Sequence, residues 1–272
     1  MAAFIADDFN AASYKSYRPD YAQSLYDTIL EYHGRSERDL ALDVATGTGQ
    51  AALRLVEEFK KVIAIDASNA MLGNAQKHER IDYRFGTAEK LPIDDESVDF
   101  ISVAQAAHWF DMPAFYKEAK RVLKPNGTLA IWGYRNAYVT NFDAETNEYL
   151  SSLLENHVHV TLGIFWDRGR EKLDRMYADD EFKMDGIFDC TQRVLSPLPE
   201  SQSAPSTPFM HRSWNADRIG DYLKTWSAYK HFLERSQSSE DPVDTLVARI
   251  EARVGNARID LIWPVVLMLG RK

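Results

Sequence analysis

Short apolar runs separated by helical stripes dominate the first half of the chain, and their order predicts a parallel sheet covered by helices. Runs at Leu40 to Ala45, Val62 to Ile65, Val98 to Ala104 and Leu129 to Trp132 show no alternating polar face, as expected of strands buried on both sides. Between the first two, Ala52, Leu55, Val56 and Phe59 recur at i, i+3, i+4 and i+7, the stripe of a helix lying on a sheet. Ser68 is placed to cap the next helix, which carries Met71, Leu72 and Ala75. A third helix is predicted to open near Asp111 and Pro113, to bury Phe115, Ala119, Val122 and Leu123, and to stop at the turn Lys124 to Gly127. Strand and helix alternating in this way define an α/β fold.

The flanking regions read differently. Ahead of the sheet, Ala22, Leu25, Tyr26 and Ile29 share one side of a helix, introduced by an aromatic and basic segment, Tyr14 to Tyr21, that could fold over a ligand. Beyond Gly133 the alternation breaks down. Asn136 to Ile187 mixes helical signals and clusters Trp166, Arg168 and Arg170, an insertion expected to roof a site. A stretch rich in Ser and Pro, Ser196 to Pro208, reads as a surface connection or lid loop. Helical spacing returns at Ile219, Tyr222, Leu223 and Trp226, and after Asp241-Pro242 at Leu246, Val247, Ile250 and Val254. The run Ile259 to Leu269 is predicted to be one final strand inside the sheet, with Pro264 at a bulge or bend.

Composition narrows the partners. With 272 residues, 45% hydrophobic and 27% charged, the chain has the make-up of one globular domain. A formal net charge of −9 argues against phosphate-backbone attraction, so no nucleic-acid partner is expected. No run of about 18 apolar residues and no basic region before an apolar stretch is present, which predicts no membrane association and a cytoplasmic location. The single cysteine, Cys190, excludes an intrachain disulfide and is expected to be buried and inert. Either a monomer or a homodimer fits these numbers.

Leu42 to Gly49, Leu-Asp-Val-Ala-Thr-Gly-Thr-Gly, reads as a buried strand entering a glycine turn and then a helix, the way open α/β sheets hold nucleotide-like cofactors. Gly47 and Gly49 let the backbone turn tightly and approach a ligand. Asp66 follows Gly47 by 19 residues at the end of the next apolar run, where a carboxylate can bond the two hydroxyls of an adenosine ribose. Gly47-x-Gly49-x-x-Ala52 also satisfies the permissive dinucleotide fingerprint, so the glycines alone fit a nicotinamide dinucleotide or S-adenosylmethionine.

Four elements in order separate the two: Asp43 before the turn, Asp66 after the second strand, Gly-Thr-Ala-Glu at Gly86 to Glu89, and Ala-Gln-Ala-Ala-His-Trp at Ala104 to Trp109. Together they resemble the class I S-adenosylmethionine-dependent methyltransferases. That resemblance implies a Rossmann-like, mostly parallel seven-stranded sheet with helices on both faces and an inserted helical cap. It divides the chain into an N-terminal lid and helix (1–39), a cofactor-binding core (40–134), a cap insertion (135–192) and substrate helices with final strands (193–272). The turn Ala45, Thr46, Gly47 to Gly49 would wrap the methionine part of the cofactor with Asp43 near its amino group. Asp66 would bind the ribose, the Ala88 N–H and Glu89 would face the adenine, and Ala67 and Met71 would flank its ring. Tyr14, Arg18, Gln105 and Ala106 complete the cofactor set, and S-adenosylhomocysteine is the product. Ala45 stands where the family's first glycine usually sits, and Thr87 where an adenine-binding acid is common.

A closer resemblance, to the fungal branch that includes the trans-aconitate methyltransferases, is carried by Tyr14 to Tyr21, His108-Trp109 and Leu223 to Tyr229. It implies methylation of a carboxylate on a small anionic molecule by in-line displacement, with positioning and exclusion of water carrying most of the acceleration. Arg18 is then a candidate bidentate clamp for a carboxylate, of substrate or cofactor. His108 would orient the acceptor, or take a proton from a hydroxyl or amine. Trp109 would wall a dry pocket with Trp166 and Trp226. A carbon, nitrogen or hydroxyl acceptor remains an alternative, as does a cofactor-binding protein without catalysis. No metal is expected: Asp94, Asp95 and Glu96 sit in a turn at the wrong end of the sheet, and His157-x-His159 lacks companion ligands.

Overall fold

A computed structural model describes residues 17–197 and 208–272, so Tyr14 and positions 198–207 of the Ser- and Pro-rich connection lie outside the described residues. In chain order the strands are β1 (Leu40–Val44), β2 (Lys61–Asp66), β3 (Ile81–Phe85), β4 (Val98–Ala104), β5 (Leu123–Tyr134), β6 (Tyr138–Val139), β7 (Asp189–Leu195), β8 (His211–Trp214), β9 (Ile259–Ile262) and β10 (Val265–Arg271). The helices are α1 (Gln23–His33), α2 (Gln50–Glu58), α3 (Asn69–Gly73), α4 (Met112–Val122), α5 (Ala144–Asn156), α6 (Arg170–Asp174), α7 (Ala216–Leu223), α8 (Ser227–Arg235) and α9 (Pro242–Val254).

Seven strands form the main sheet in the order β3-β2-β1-β4-β5-β10-β7, with β10 antiparallel to both of its neighbours and the first five parallel. Alternate residues of each central strand enter two separate cores. Ala41, Phe100, Ala130 and Trp132 join Leu25, Ile29, Leu55 and Phe59 on one side. On the other, Leu42, Val44, Ile101, Val103 and Ile131 meet Phe115, Ala119 and Val122. The sheet is therefore covered on both faces, which is why its central strands read as unbroken apolar runs.

The helix signals act as anticipated. Ser68 Oγ accepts from the Met71 N–H, and Asp111 from Ala114. Asp241 accepts from both Val243 and Asp244 with Pro242 in the first turn of α9. Helix α3 ends at Gly73, short of the buried Ala75. Helix α4 ends at Val122, and the Lys124 to Gly127 turn becomes an irregularity within β5, where the register against β4 shifts and Asn126 takes φ 61°.

Two expectations are corrected, and two strands had given no signal. The run Ile259 to Leu269 is two strands, not one: it breaks at Trp263-Pro264, β9 pairing with β6 and β8 in a small antiparallel sheet and β10 entering the main one. Proline removes a ladder donor and so marks the crossing point between sheets. Cys190 is exposed, not buried, because β7 is an edge strand whose side chains mostly face water. The two edge strands, β3 and β7, carried no apolar run, since an edge buries only part of its surface.

Candidate active site

The carboxyl ends of β1, β2, β4 and β5 open on one cleft, the position open α/β sheets reserve for ligands. Its floor is the turn after β1. There the Thr46 N–H donates to the Ile65 carbonyl at 2.9 Å, tying the turn to β2, and the Gly49 N–H donates to the Thr46 carbonyl at 2.9 Å. Gly47 has φ 57°, and a Cβ built on it would meet nothing within 4 Å, so its backbone lies bare to the cleft. At Gly49, with φ 88°, a Cβ would strike the Tyr83 hydroxyl.

Ala45 also adopts a left-handed conformation, φ 56°, which a Cβ disfavours by about 1–2 kcal/mol. Ala45→Gly is accordingly expected to stabilise the fold by about 0.5–1 kcal/mol after the extra chain entropy of glycine is subtracted. A denaturant midpoint unchanged or lowered would show that the alanine is unstrained.

Asp66 closes the turn from the neighbouring strand. Its carboxylate accepts from the Gly47 N–H at 2.8 Å and the Ser68 N–H at 2.8 Å, and burial raises its pKa against those bonds. Asp43 lies beneath, 1% exposed. It accepts from the Thr46 hydroxyl at 2.5 Å and the Ser102 hydroxyl at 2.6 Å, and burial pushes its pKa up to about 6. Ala67, Met71, Ala88 and Glu89 line the cleft beyond Asp66, with Glu89 accepting from the Asp111 N–H at 3.1 Å.

At the end of β4, Gln105 takes φ 54° and its side-chain amide clasps Tyr134 of β5, accepting from the N–H at 2.6 Å and donating to the carbonyl at 3.0 Å. Strain of this kind persists where surrounding bonds fix it. Ala106, His108 and Trp109 follow along the wall. His108 Nδ1 shares a hydrogen bond of 3.0 Å with the Tyr177 hydroxyl. Burial, then the charge of Arg170, pushes the His108 pKa down to about 3, so the ring is neutral.

The roof comes from distant segments. Arg18 donates to the Tyr134 hydroxyl and the Thr225 carbonyl, each at 3.2 Å. Arg170 stacks on Trp166 at 4.6 Å, bonds Asp174 at 2.8 Å and reaches the Asn136 amide oxygen at 2.7 Å. Gly169 lets this loop pack onto His108, because a Cβ there would sit 2.7 Å from the His108 carbonyl oxygen. Arg135, Asp167, Tyr222 and Trp226 complete the roof.

Every expected site residue that is described lines this cleft except Asp43 and Gly49. Asp43 lies beneath the turn, bonded to Thr46 and to Ser102, its register partner on β4. Gly49 is held away by its place at the start of α2 against Tyr83. Sequence reasoning missed Tyr134, Arg135, Asn136 and Asp167. The first three sit at or just past the end of a parallel strand, as Gln105 does, and that rule would have found them; Asp167 carries no such signal.

The acidic turn lies at the opposite end of the sheet, with Asp95 paired to Arg121 and Glu96 to Lys272. His157 is buried, while His159 lies 3.3 Å from Glu155. No group of three or more potential metal ligands occurs among the described residues, and no described helix is long and apolar enough to cross a membrane.

This strand order, with one antiparallel strand beside the fifth parallel one and a glycine turn facing an acid on β2, defines the class I, Rossmann-like methyltransferase fold. A family model described as a methyltransferase domain matches residues 42–131. A Dictyostelium discoideum protein named as a methyltransferase is 37% identical over 264 residues, which cover 96% of this chain and 92% of that protein. CRG1 of Saccharomyces cerevisiae, named as an S-adenosylmethionine-dependent methyltransferase, is 27% identical over 99% of this chain and 98% of its own. A solved Anaeromyxobacter dehalogenans chain named as a type II methyltransferase superimposes with a TM-score of 0.73 at 27% identity, covering 93% of this chain and 97% of that one. The chain belongs to the S-adenosylmethionine-dependent methyltransferase family. The bare Gly47 backbone and the Asp66 carboxylate beside it suit that cofactor.

Proposed function

We propose that the methyl acceptor is a small carboxylate-bearing anion, O-methylated as in the trans-aconitate type that the sequence resembles. The observation that carries this reading is the set of cations in the roof: Arg18, Arg135 and Arg170 line the cleft there with one acid, Asp167, among the described lining residues, Arg135 also pairing with Glu155 at 3.5 Å and Arg170 with Asp174 at 2.8 Å. In a cleft walled by Trp109, Trp166, Trp226 and Tyr222, a bound molecule would displace water, and such charges would then act at low dielectric. Neutral His108, with a pKa near 3, is a weak base. An ionised carboxylate needs none, whereas an amine or hydroxyl acceptor does.

S-adenosylmethionine supplies a methyl group on a sulfonium, open to in-line displacement. In this reading residues 40–134 hold the cofactor and the later segments shape the acceptor half. The turn Ala45 to Gly49 cradles the methionine part, Asp66 takes the ribose hydroxyls, and Ala67, Met71, Ala88 and Glu89 hold the adenine. Gln105 and Ala106 fix the wall between the halves. Arg18 and Arg170 bond the acceptor carboxylate, while His108 and Trp109 orient it.

Titration of small acids into the protein loaded with S-adenosylhomocysteine tests the proposal. Arg170→Met and Arg18→Met are each expected to weaken acid binding by about 10- to 100-fold, the worth of a charge-assisted hydrogen bond, with S-adenosylhomocysteine affinity unchanged. Equal acid affinity in wild type and both variants would overturn it.

A further inference from the structure

Asp167 is the one acid of the roof among the described lining residues, and its environment does not account for it. One of its carboxylate oxygens, Oδ2, is sealed from water and has no hydrogen-bond partner among the described residues. Among the described residues no roof arginine bonds this oxygen. Arg170 spends its guanidinium on Asp174, Asn136 and the face of Trp166, and Arg18 donates to Tyr134 and Thr225. The aspartate is also held in place. Trp166 on one side is anchored through its indole N–H to the Val158 carbonyl at 2.9 Å, and Gly169 on the other packs against His108. An acceptor oxygen sealed in this wall without a donor is unfavourable in the free protein, although the residue as a whole is only half-buried, and it persists where a bound molecule supplies the donor.

We infer that the acceptor carries a hydroxyl or ammonium group beside its carboxylate, and that Asp167 is the specificity-determining residue that receives it. The inference rests on the carboxylate reading above and narrows it: the arginines take the acid, and Asp167 selects hydroxy or amino acids over their plain analogues. A buried acceptor left unpaired discriminates strongly against a ligand that lacks the donor. The cofactor's own ammonium is the other source of the same chemistry, and the experiment separates the two.

Matched acids that differ only at one position are the probes: succinate, malate and aspartate, with 3-phenylpropionate, 3-phenyllactate and phenylalanine. Transfer of labelled methyl from S-adenosylmethionine is measured for wild type, Asp167→Asn and Asp167→Leu, with S-adenosylhomocysteine affinity and thermal midpoint of each free protein. In at least one series the wild type is expected to favour a donor-bearing acid about 100-fold in kcat/KM. Asp167→Leu is expected to erase that preference, and Asp167→Asn to erase it for the ammonium while keeping part of it for the hydroxyl. Cofactor affinity should stay within about twofold, and the midpoint of the free variants should equal or exceed that of wild type, as follows when an unpaired carboxylate is removed. Acids methylated with no preference, or with one that survives both substitutions, would overturn the role of Asp167 alone. A fall of tenfold or more in S-adenosylhomocysteine affinity with the preference intact would assign Asp167 to the cofactor and also overturn it. If no acid in either series is methylated while hydroxyl or amine acceptors are, the carboxylate reading fails and the inference falls with it.

Discussion

Asp66→Ala is expected to weaken S-adenosylhomocysteine binding by about 100-fold or more. The carboxylate does two things at once. It receives the Gly47 and Ser68 N–H groups, so it sets the shape of the turn that faces the cleft. It also lines the cleft wall, where in the proposed reading it bonds the ribose hydroxyls, at about 1.5–3 kcal/mol for each hydrogen bond to a charged group. Two such bonds correspond to a loss of roughly two to four powers of ten. Asp66→Asn keeps one accepting oxygen and should fall between the two. Calorimetric titration measures both, and wild-type affinity in Asp66→Ala would contradict the assignment.

Acid lability is the second large effect. His33, His108 and His157 are all buried, and burial lowers their pKa values to about 4, 3 and 4. Their unfolded values lie near 6.5, so as pH falls below that value the unfolded chain takes up protons that the native protein refuses. Stability from these three groups is therefore complete at neutral pH and lost as pH drops toward 4. At pH 5 each contributes a loss of about 2 kcal/mol. Asp43 opposes them. Its native pKa of about 6 lies above the unfolded value, so the native protein binds that proton first and regains roughly 1 kcal/mol at the same pH. Asp66, also raised, acts in the same direction. The balance is a loss of up to about 4 kcal/mol between pH 7 and 5, a large share of the stability of an ordinary domain. Urea melts across that range measure it. His33→Gln, which replaces the ring packed against Phe59 and Phe100, should flatten the profile, and a profile already flat in wild type would contradict the burial argument.

The same burial explains what was legible in the sequence. Strands β1, β2, β4 and β5 are covered on both faces, so their apolar runs announced them, and the stripes of α2 and α4 announced the helices between. Edge strands β3 and β7 mix Asp82, Arg84, Gln192 and Arg193 with apolar residues and carried no period. The cofactor half of the cleft was readable because a tight turn demands glycine locally and the acid on the next strand stands at a fixed spacing. The side-chain directions were not. Asp43 reads as a ligand contact, yet the β1–β4 register sets it against Ser102. The roof was least readable, since Asp167 and Arg170 reach the cleft only through packing of Gly169 on His108, a contact between distant segments with no local pattern.

The proposed reaction is methyl transfer to a carboxylate in this cleft. Its most direct test is to incubate the protein with S-adenosylmethionine labelled in the methyl group and a panel of small acids, and then to expose the labelled product to mild alkali. The cleft's arginines and its neutral His108 lead to a labelled ester that releases its methyl group as methanol. A labelled product that survives alkali unchanged would contradict the account.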